Sequence, residues 1–300
     1  MSEFLNALSG GLGQGAVYAM LALGFVMIFK ASGVISFAQP AFMLCGAVAV
    51  SYLVELVPFF LAVPLAVVLV AMIALSVERA VVRPMVGKPV FTIAIITIGV
   101  DIFVRVVAGA FIGVDLRSIG DPWGTETLAL GSVVIEHRHL AMLVTGAVVV
   151  AALFTFFRYT PVGLAMRAVA LDQEAAMAQG VNVGTIFALS WAMAGGLAAI
   201  AGVYAATGGS SFDGNLWIIA LKALPVIIIG GLDSFGGAVI AGLLVGVVEN
   251  VVATYEHGFP ASVTNVLGDN FAGVTPYVLM LIVLLVRPYG LFGTKEVIRV

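Results

Sequence analysis

Runs of roughly 20 apolar residues, separated by short polar stretches, recur along the whole chain. At about 1.5 Å of rise per residue, such a run crosses a hydrocarbon core of about 30 Å as a helix. Candidates fall at roughly 10–29, 40–57, 59–77, 90–112, 139–157, 186–207, 236–254 and 272–287. One further apolar stretch, Trp217 to Ile229, is short and runs into the turn-rich string GGLDSFGG, Gly230 to Gly237. A short apolar segment ending in glycines predicts a half-helix or re-entrant element beside the next span. The pattern therefore predicts an all-α integral membrane protein: a polytopic helical bundle of about eight to nine spans, with the half-helix near 217–237. No Ser/Pro-rich linker or charge run divides the chain, so a single domain over 1–300 is expected.

Composition agrees with this reading. Of 300 residues, 62% are hydrophobic and 10% charged, and the mean hydropathy is +1.19. A soluble domain carries about 25% charged residues, so most of this exterior must face lipid. The net charge of -3 and the scattered Lys and Arg give no footprint for nucleic acid. The single cysteine, Cys45, lies in an apolar run and reads as a small buried hydrophobe. The opening MSEFLNALSGG has no basic residue before its apolar stretch and does not read as a cleavable leader.

Orientation follows from Lys and Arg near the span ends. Arg79, Arg83 and Lys88 share one loop, Arg158 and Arg167 another, and Arg287, Lys295 and Arg299 lie in the tail. Glu55, the 113–136 loop (Asp115, Asp121, Glu126, Glu136) and the 256–270 loop (Glu256, Asp269) lean acidic. With basic loops inside, the C-terminus is expected in the cytoplasm. The N-terminus is then outside if Trp217–Ile229 crosses fully, as favoured, and inside if it only dips in. Small residues recur four apart, as Gly195 with Ala199, Gly202 with Ala206 and Gly242 with Gly246. Such spacing predicts closely packed helices.

The stretch 159–185 is the one substantial basic-side loop. Thr160 then Pro161 forms a helix start, with an oxygen at the cap and proline at the first helical position. Asp172 is placed to cap a second short helix, DQEAAMAQ, which Gly180 would end. Ala168, Leu171, Ala175, Ala176 and Met177 would supply its apolar faces, and Arg167, Asp172 and Glu174 its charge. Such a pair of surface helices either docks a partner or lies on headgroups.

Charges at membrane depth cost about 2.5–3.5 kcal/mol each on insertion scales, so each needs a reason. Asp101 and Arg105 sit four apart on one helix face; an internal ion pair is favoured over a polar spot on a solute path. Glu249, late in its span, reads as an anchor rather than a ligand contact, and Lys222 as a snorkelling side chain. No phosphate-binding G-x-x-x-x-G-K-[ST] exists. LSGGLGQ at Leu8–Gln14 only echoes an ATPase signature; its glycines read as packing or loosening a helix start. His137, His139 and His257 read as loop histidines rather than a metal site. No catalytic arrangement is present, and the chain is expected not to be an enzyme.

Four stretches carry a family resemblance. They are GGLGQGAVYAMLALGFVMIF with SGVISFAQPAFMLCGA; TPVGLAMRAVALDQEAAMAQGVNV; ALPVIIIGGLDSFGGAVIAGLLVGVVEN; and VRPYGLFGT. Together they resemble the LivH-type branched-chain amino acid permease subunits of ATP-binding-cassette importers. The resemblance implies a transmembrane permease that brings branched-chain amino acids, or a similar small polar organic solute, into the cell. It implies a bacterial inner-membrane location and three kinds of partner besides lipid: a second homologous permease, two cytoplasmic ATPases and a periplasmic solute-binding protein. ATP would be used by those ATPases, with no cofactor bound here. Arg167, Asp172, Glu174, Ala175, Ala176 and Gly180 would form the ATPase-coupling loop. Gln39, Asp101, Arg105 and Glu249 are the intramembrane polar or pathway candidates. Gly230, Gly231, Asp233, Ser234, Gly236 and Gly237 form the re-entrant turn. Two departures stand out: Gln39 and Pro40 occupy the place of a His-Gly pair, and the Asp101/Arg105 pair is not a family feature. The rival functions are an ion-gradient-driven secondary transporter and a structural subunit without a pathway.

Overall fold

Apolar runs without water to solvate their backbone must close their hydrogen bonds internally, which leaves helix as the form for nearly every segment of this chain. The computed structural model describes residues 2–85, 88–113, 116–120, 122–123, 126–130, 133–207, 211–258 and 271–294. The helices are α1 (Ser2–Ser32), α2 (Gln39–Leu53), α3 (Phe59–Val77), α4 (Val90–Ile112), α5 (His137–Tyr159), α6 (Pro161–Leu171), α7 (Gln173–Ala178), α8 (Val183–Ala206), α9 (Ile218–Leu221), α10 (Ala223–Gly230), α11 (Phe235–Tyr255) and α12 (Thr275–Val286). A π-helical turn, Glu78–Val82, continues α3.

Six of the eight expected spans are helices long and apolar enough to cross a membrane: Glu3–Ser32, Phe59–Met85, Val90–Ile112, His137–Tyr159, Val183–Ala206 and Phe235–Tyr255. Gln39–Leu53 and Ala272–Val286 are shorter apolar helices, as is Ile218–Gly230, which breaks at Lys222. The 40–57 run falls short because its helix ends at Leu53 and a turn carries the chain to Pro58. The acidic 113–136 loop holds one feature the helical pattern does not predict, an antiparallel hairpin of β1 (Thr127–Leu130) and β2 (Val133–Glu136). Asp115, Asp121, Asp269, Lys295 and Arg299 lie outside the described residues, as does most of the 256–270 loop.

The chain resolves into two compact units. The larger comprises residues 23–122 and 148–221. Its centre is α2, buried along most of its length and walled by α3, α4 and α8. Close approach follows from small residues. Gly46 sits on Ala199, and a Cβ on Gly202 would collide with the Met43 carbonyl. On α3 the buried stripe is Ala62, Ala66, Val70 and Ala74, at helical spacing, and a Cβ on Gly195 of α8 would meet the Ala74 methyl at 2.6 Å. Phe42 meets Trp191 edge to face at 6.3 Å. The opposite faces of α3 and α4 expose Leu61, Leu65, Met72, Phe91, Ile95 and Phe103, the composition of a lipid-facing surface.

The smaller unit comprises residues 1–22, 123–147 and 222–300. Here the glycines of LSGGLGQG pack closely as expected, but inside a helix rather than at its start, since α1 begins at Ser2. A Cβ on Gly11 would lie 2.6 Å from the Val247 Cα, and one on Gly15 2.7 Å from the Leu243 Cα. Gly242 closes the same seam against Ala19. Helix α10 turns into α11 through Gly231, whose φ of +98° favours glycine. The tail returns to this turn, with Leu291 N–H donating to the Ile229 carbonyl at 2.7 Å and Phe292 N–H to that of Gly230 at 3.2 Å.

Candidate functional site

The α6–α7 hairpin forms as its sequence dictates. Thr160 Oγ1 accepts from Gly163 N–H at 2.9 Å, and Pro161 follows at the first helical position. Asp172 ends α6 and starts α7, its Oδ1 accepting from Ala175 N–H at 3.0 Å. Gly180 has φ +84°, and Val181 N–H donates to the Ala176 carbonyl at 3.0 Å, closing the last turn. Asn182 then caps α8 through Thr185 N–H at 3.1 Å.

The apolar face of this hairpin differs from the expected one. Gly163, Met166, Val169 and Ala176 are buried, whereas Leu171 is 89% exposed and Ala175 and Met177 are exposed. Arg167, Asp172 and Glu174 are exposed beside them. Of the residues read as its apolar face only Ala176 is buried, because packing against neighbouring helices decides which face turns inward. The outer surface mixes apolar side chains with both charges.

Within the larger unit, the first turn of α2 meets α4. Asp101 Oδ2 pairs with Arg105 at 2.6 Å, and its Oδ1 accepts from Ala41 N–H at 3.0 Å. The carboxylate thus neutralises its partner while capping an N-terminus whose own cap residue, Ala38, has no side-chain acceptor. Thr97 Oγ1 accepts from Phe37 N–H at 3.0 Å, one turn earlier on α4. Arg105 lies 3.8 Å over the Trp217 ring, a cation–π contact. Gln39 begins α2 and is fully buried; neither its amide oxygen nor its nitrogen has a hydrogen-bond partner among the described residues. A Cβ on Gly24 would lie 2.9 Å from Gln39 Nε2. Gln39 and the Asp101 carboxylate of α4 thus both sit at the first turn of α2, and among the described residues they are not hydrogen-bonded to each other.

In the smaller unit, Glu249 pairs with Lys222 and accepts from the Tyr18 hydroxyl at 2.8 Å. This corrects the reading of Lys222 as snorkelling. Its ammonium is held by a carboxylate, because a largely buried cation gains more from a buried anion than from a route to headgroups. At the glycine turn, Ser234 caps α11 through Gly237 N–H at 3.0 Å, and Asp233 holds Thr294 of the tail. Gly230 and Gly237 approach so closely that a Cβ on Gly230 would meet the Gly237 carbonyl carbon at 2.5 Å. Gly236 faces open space.

His137 and His139 stand in the first turn of α5 rather than in a loop. Among the described residues no three His, Cys, Asp or Glu side chains gather as a metal site. Sequence reasoning missed Glu78, which is fully buried on the π-helical turn and grips Arg83 through two 3.1 Å hydrogen bonds. It missed Tyr18 and Gln173 as well. An acid inside a long apolar run was the signal for Glu78; Tyr18 and Gln173 gave none, since their partners are far away in sequence.

A polytopic bundle with buried, self-neutralised ion pairs, a broken helix and an exposed two-helix hairpin defines a membrane transport subunit rather than an anchor. The chain matches the permease component family of branched-chain amino acid transport systems over residues 7–285, and it belongs to that family. It is 28% identical to the high-affinity branched-chain amino acid transport system permease protein BraD of Pseudomonas aeruginosa, covering 99% of this chain and 98% of that protein. The corresponding LivH protein of Escherichia coli is 26% identical, covering 99% and 98%. A probable LivH of Methanocaldococcus jannaschii is 25% identical, covering 95% and 91%.

Proposed function

We propose that this chain is the translocating subunit of an ATP-binding-cassette importer for branched-chain amino acids or a similar small polar organic solute. The observation that carries the reading is the α6–α7 hairpin: two capped helices with an exposed mixed surface, in a chain of this family. Two cytoplasmic ATPases dock there, a second permease completes the pathway, and a periplasmic binding protein delivers solute. ATP hydrolysis belongs to the partners, and this chain binds no cofactor. It sits in the bacterial inner membrane with its C-terminus in the cytoplasm.

In this mechanism ATP binding draws the two ATPases together and displaces the hairpins. The helix bundle then repacks between inward- and outward-facing arrangements. Glu174 supplies a charge contact on the exposed face, while Gly180 sets the helix stop. The ion-driven alternative would use Asp101 or Glu249, but each carboxylate already holds a cation of the same chain. Glu174→Arg reverses one exposed charge without touching the buried stripe. It is expected to cut recovery of the ATPases in a pull-down several-fold while the permease remains monodisperse. Normal ATPase recovery by that variant would remove the hairpin from the docking role.

A further inference from the structure

The end of α1 and the start of α2 are joined by a break in the helical path. Gly33, at φ +70°, ends α1, and the chain runs irregularly to Ala38 with Val34, Ser36 and Ala38 buried. Irregular backbone within a membrane bundle persists only where protein or water supplies its hydrogen bonds. Here α4 does so on one side, through Thr97 to Phe37 N–H and Asp101 to Ala41 N–H. On the other side the last carbonyls of α1 need partners from elsewhere. The Ala31 carbonyl receives one: Gln173 Nε2, from the first turn of α7, donates to it at 3.1 Å. Beyond the hairpin, the first turn of α8 is held in place, since Arg83, gripped by buried Glu78, donates to the Gly184 carbonyl at 2.8 Å.

We infer that Gln173 is the residue that transmits movement of the α6–α7 hairpin to the break between α1 and α2. The inference rests on the hairpin being the ATPase-docking element. With the α8 end held by Arg83, displacement of α7 acts on Ala31 through Gln173, directly before the Gly33 pivot. The break can change packing without disrupting a helix, because it lacks the helical hydrogen-bond ladder. It also leads into Gln39, whose amide has no partner among the described residues. A second arrangement that hydrates or pairs that amide would regain its hydrogen bonds, which offsets part of the cost of repacking. Gln173 is thus a positioning residue; it need not touch solute or nucleotide.

The test uses the whole complex in lipid nanodiscs, with Cys45→Ala removing the native thiol and Ile35→Cys carrying a spin label in the break. In this parent, ATP with vanadate is expected to change the label's mobility. Gln173→Leu, which cannot donate a hydrogen bond, is expected to abolish that change while the ATPases still co-purify. Gln173→Lys, whose ammonium can donate to the Ala31 carbonyl and suits a helix C-terminus, is expected to retain it. A simple capping role would lower thermal stability in Gln173→Leu but leave the nucleotide-dependent change in place, and that result overturns the inference. An unresponsive label in the parent overturns it too, as does loss of the ATPases in Gln173→Leu alone, which would assign the residue to docking. If the parent itself recovers no ATPase, the importer reading fails and takes this inference with it.

Discussion

Gln39 is buried in full, and neither polar atom of its side chain has a partner among the described residues. An unsatisfied buried polar group costs about 1–3 kcal/mol. Gln39→Leu is therefore expected to raise the midpoint of thermal aggregation in detergent. Transport is expected to fall, because a residue kept at a cost to stability is kept for function. A stability loss in Gln39→Leu would show that the amide is satisfied after all. The Asp101–Arg105 pair behaves oppositely. Arg105→Leu leaves a buried carboxylate without its cation, at a cost of about 3–5 kcal/mol. Asp101→Asn added to it removes the stranded charge while leaving an oxygen for Ala41 N–H. The double variant is thus expected to recover much of the lost thermal stability, and no recovery would count against the ion-pair account. The Asp101–Arg105 pair was legible in the sequence because four-residue spacing puts both groups on one helix face. The Lys222–Glu249–Tyr18 cluster was not, since Tyr18 and Glu249 stand 231 positions apart and nothing local couples them.

At the scale of elements, sequence read best where the determining residues are neighbours. Thr160, Asp172, Gly180, Asn182 and Ser234 each set a helix end through atoms within a few residues, and all but Asn182 follow from the caps and turns read along the chain. The small-residue spacings also became contacts, as Gly202 on Met43 and Gly242 on Ala19. Glycines are unequal in this respect. A Cβ at Gly202 collides with backbone, whereas one at Gly236 meets nothing within 4 Å. Gly202→Ala is expected to lower the yield of folded protein sharply, and Gly236→Ala to leave it unchanged; equal effects would contradict the packing described for α2 and α8. What sequence could not supply was helix length at α2, where the apolar run continues past the turn at Val54, and the inner stripe of α6. Both depend on which neighbour buries which face, and hydropathy averages over that.

Over the whole molecule, the balance of apolar surface and buried charge fits a protein built to move rather than to anchor. The carboxylates Glu78, Asp101 and Glu249, buried or half-buried, are each paired with a cation of the same chain, so repacking need not expose an uncompensated ion to lipid. The exposed hairpin is linked to the helix bundle at Ala31 by the side chain of Gln173, and the start of α8 that follows it is held at Gly184 by Arg83. Fold class and membrane character were plain from composition and periodicity, and the family from four quoted stretches. The routes by which the hairpin grips the bundle were not, because they run from side chain to backbone over long separations, 142 positions for Gln173 and Ala31.

Affinity purification from gently solubilised membranes, with mass spectrometry of what accompanies the chain, tests the central claim most directly. The account predicts recovery of cytoplasmic ATPase subunits and a second hydrophobic permease. A folded chain recovered alone, or only with copies of itself, would contradict it.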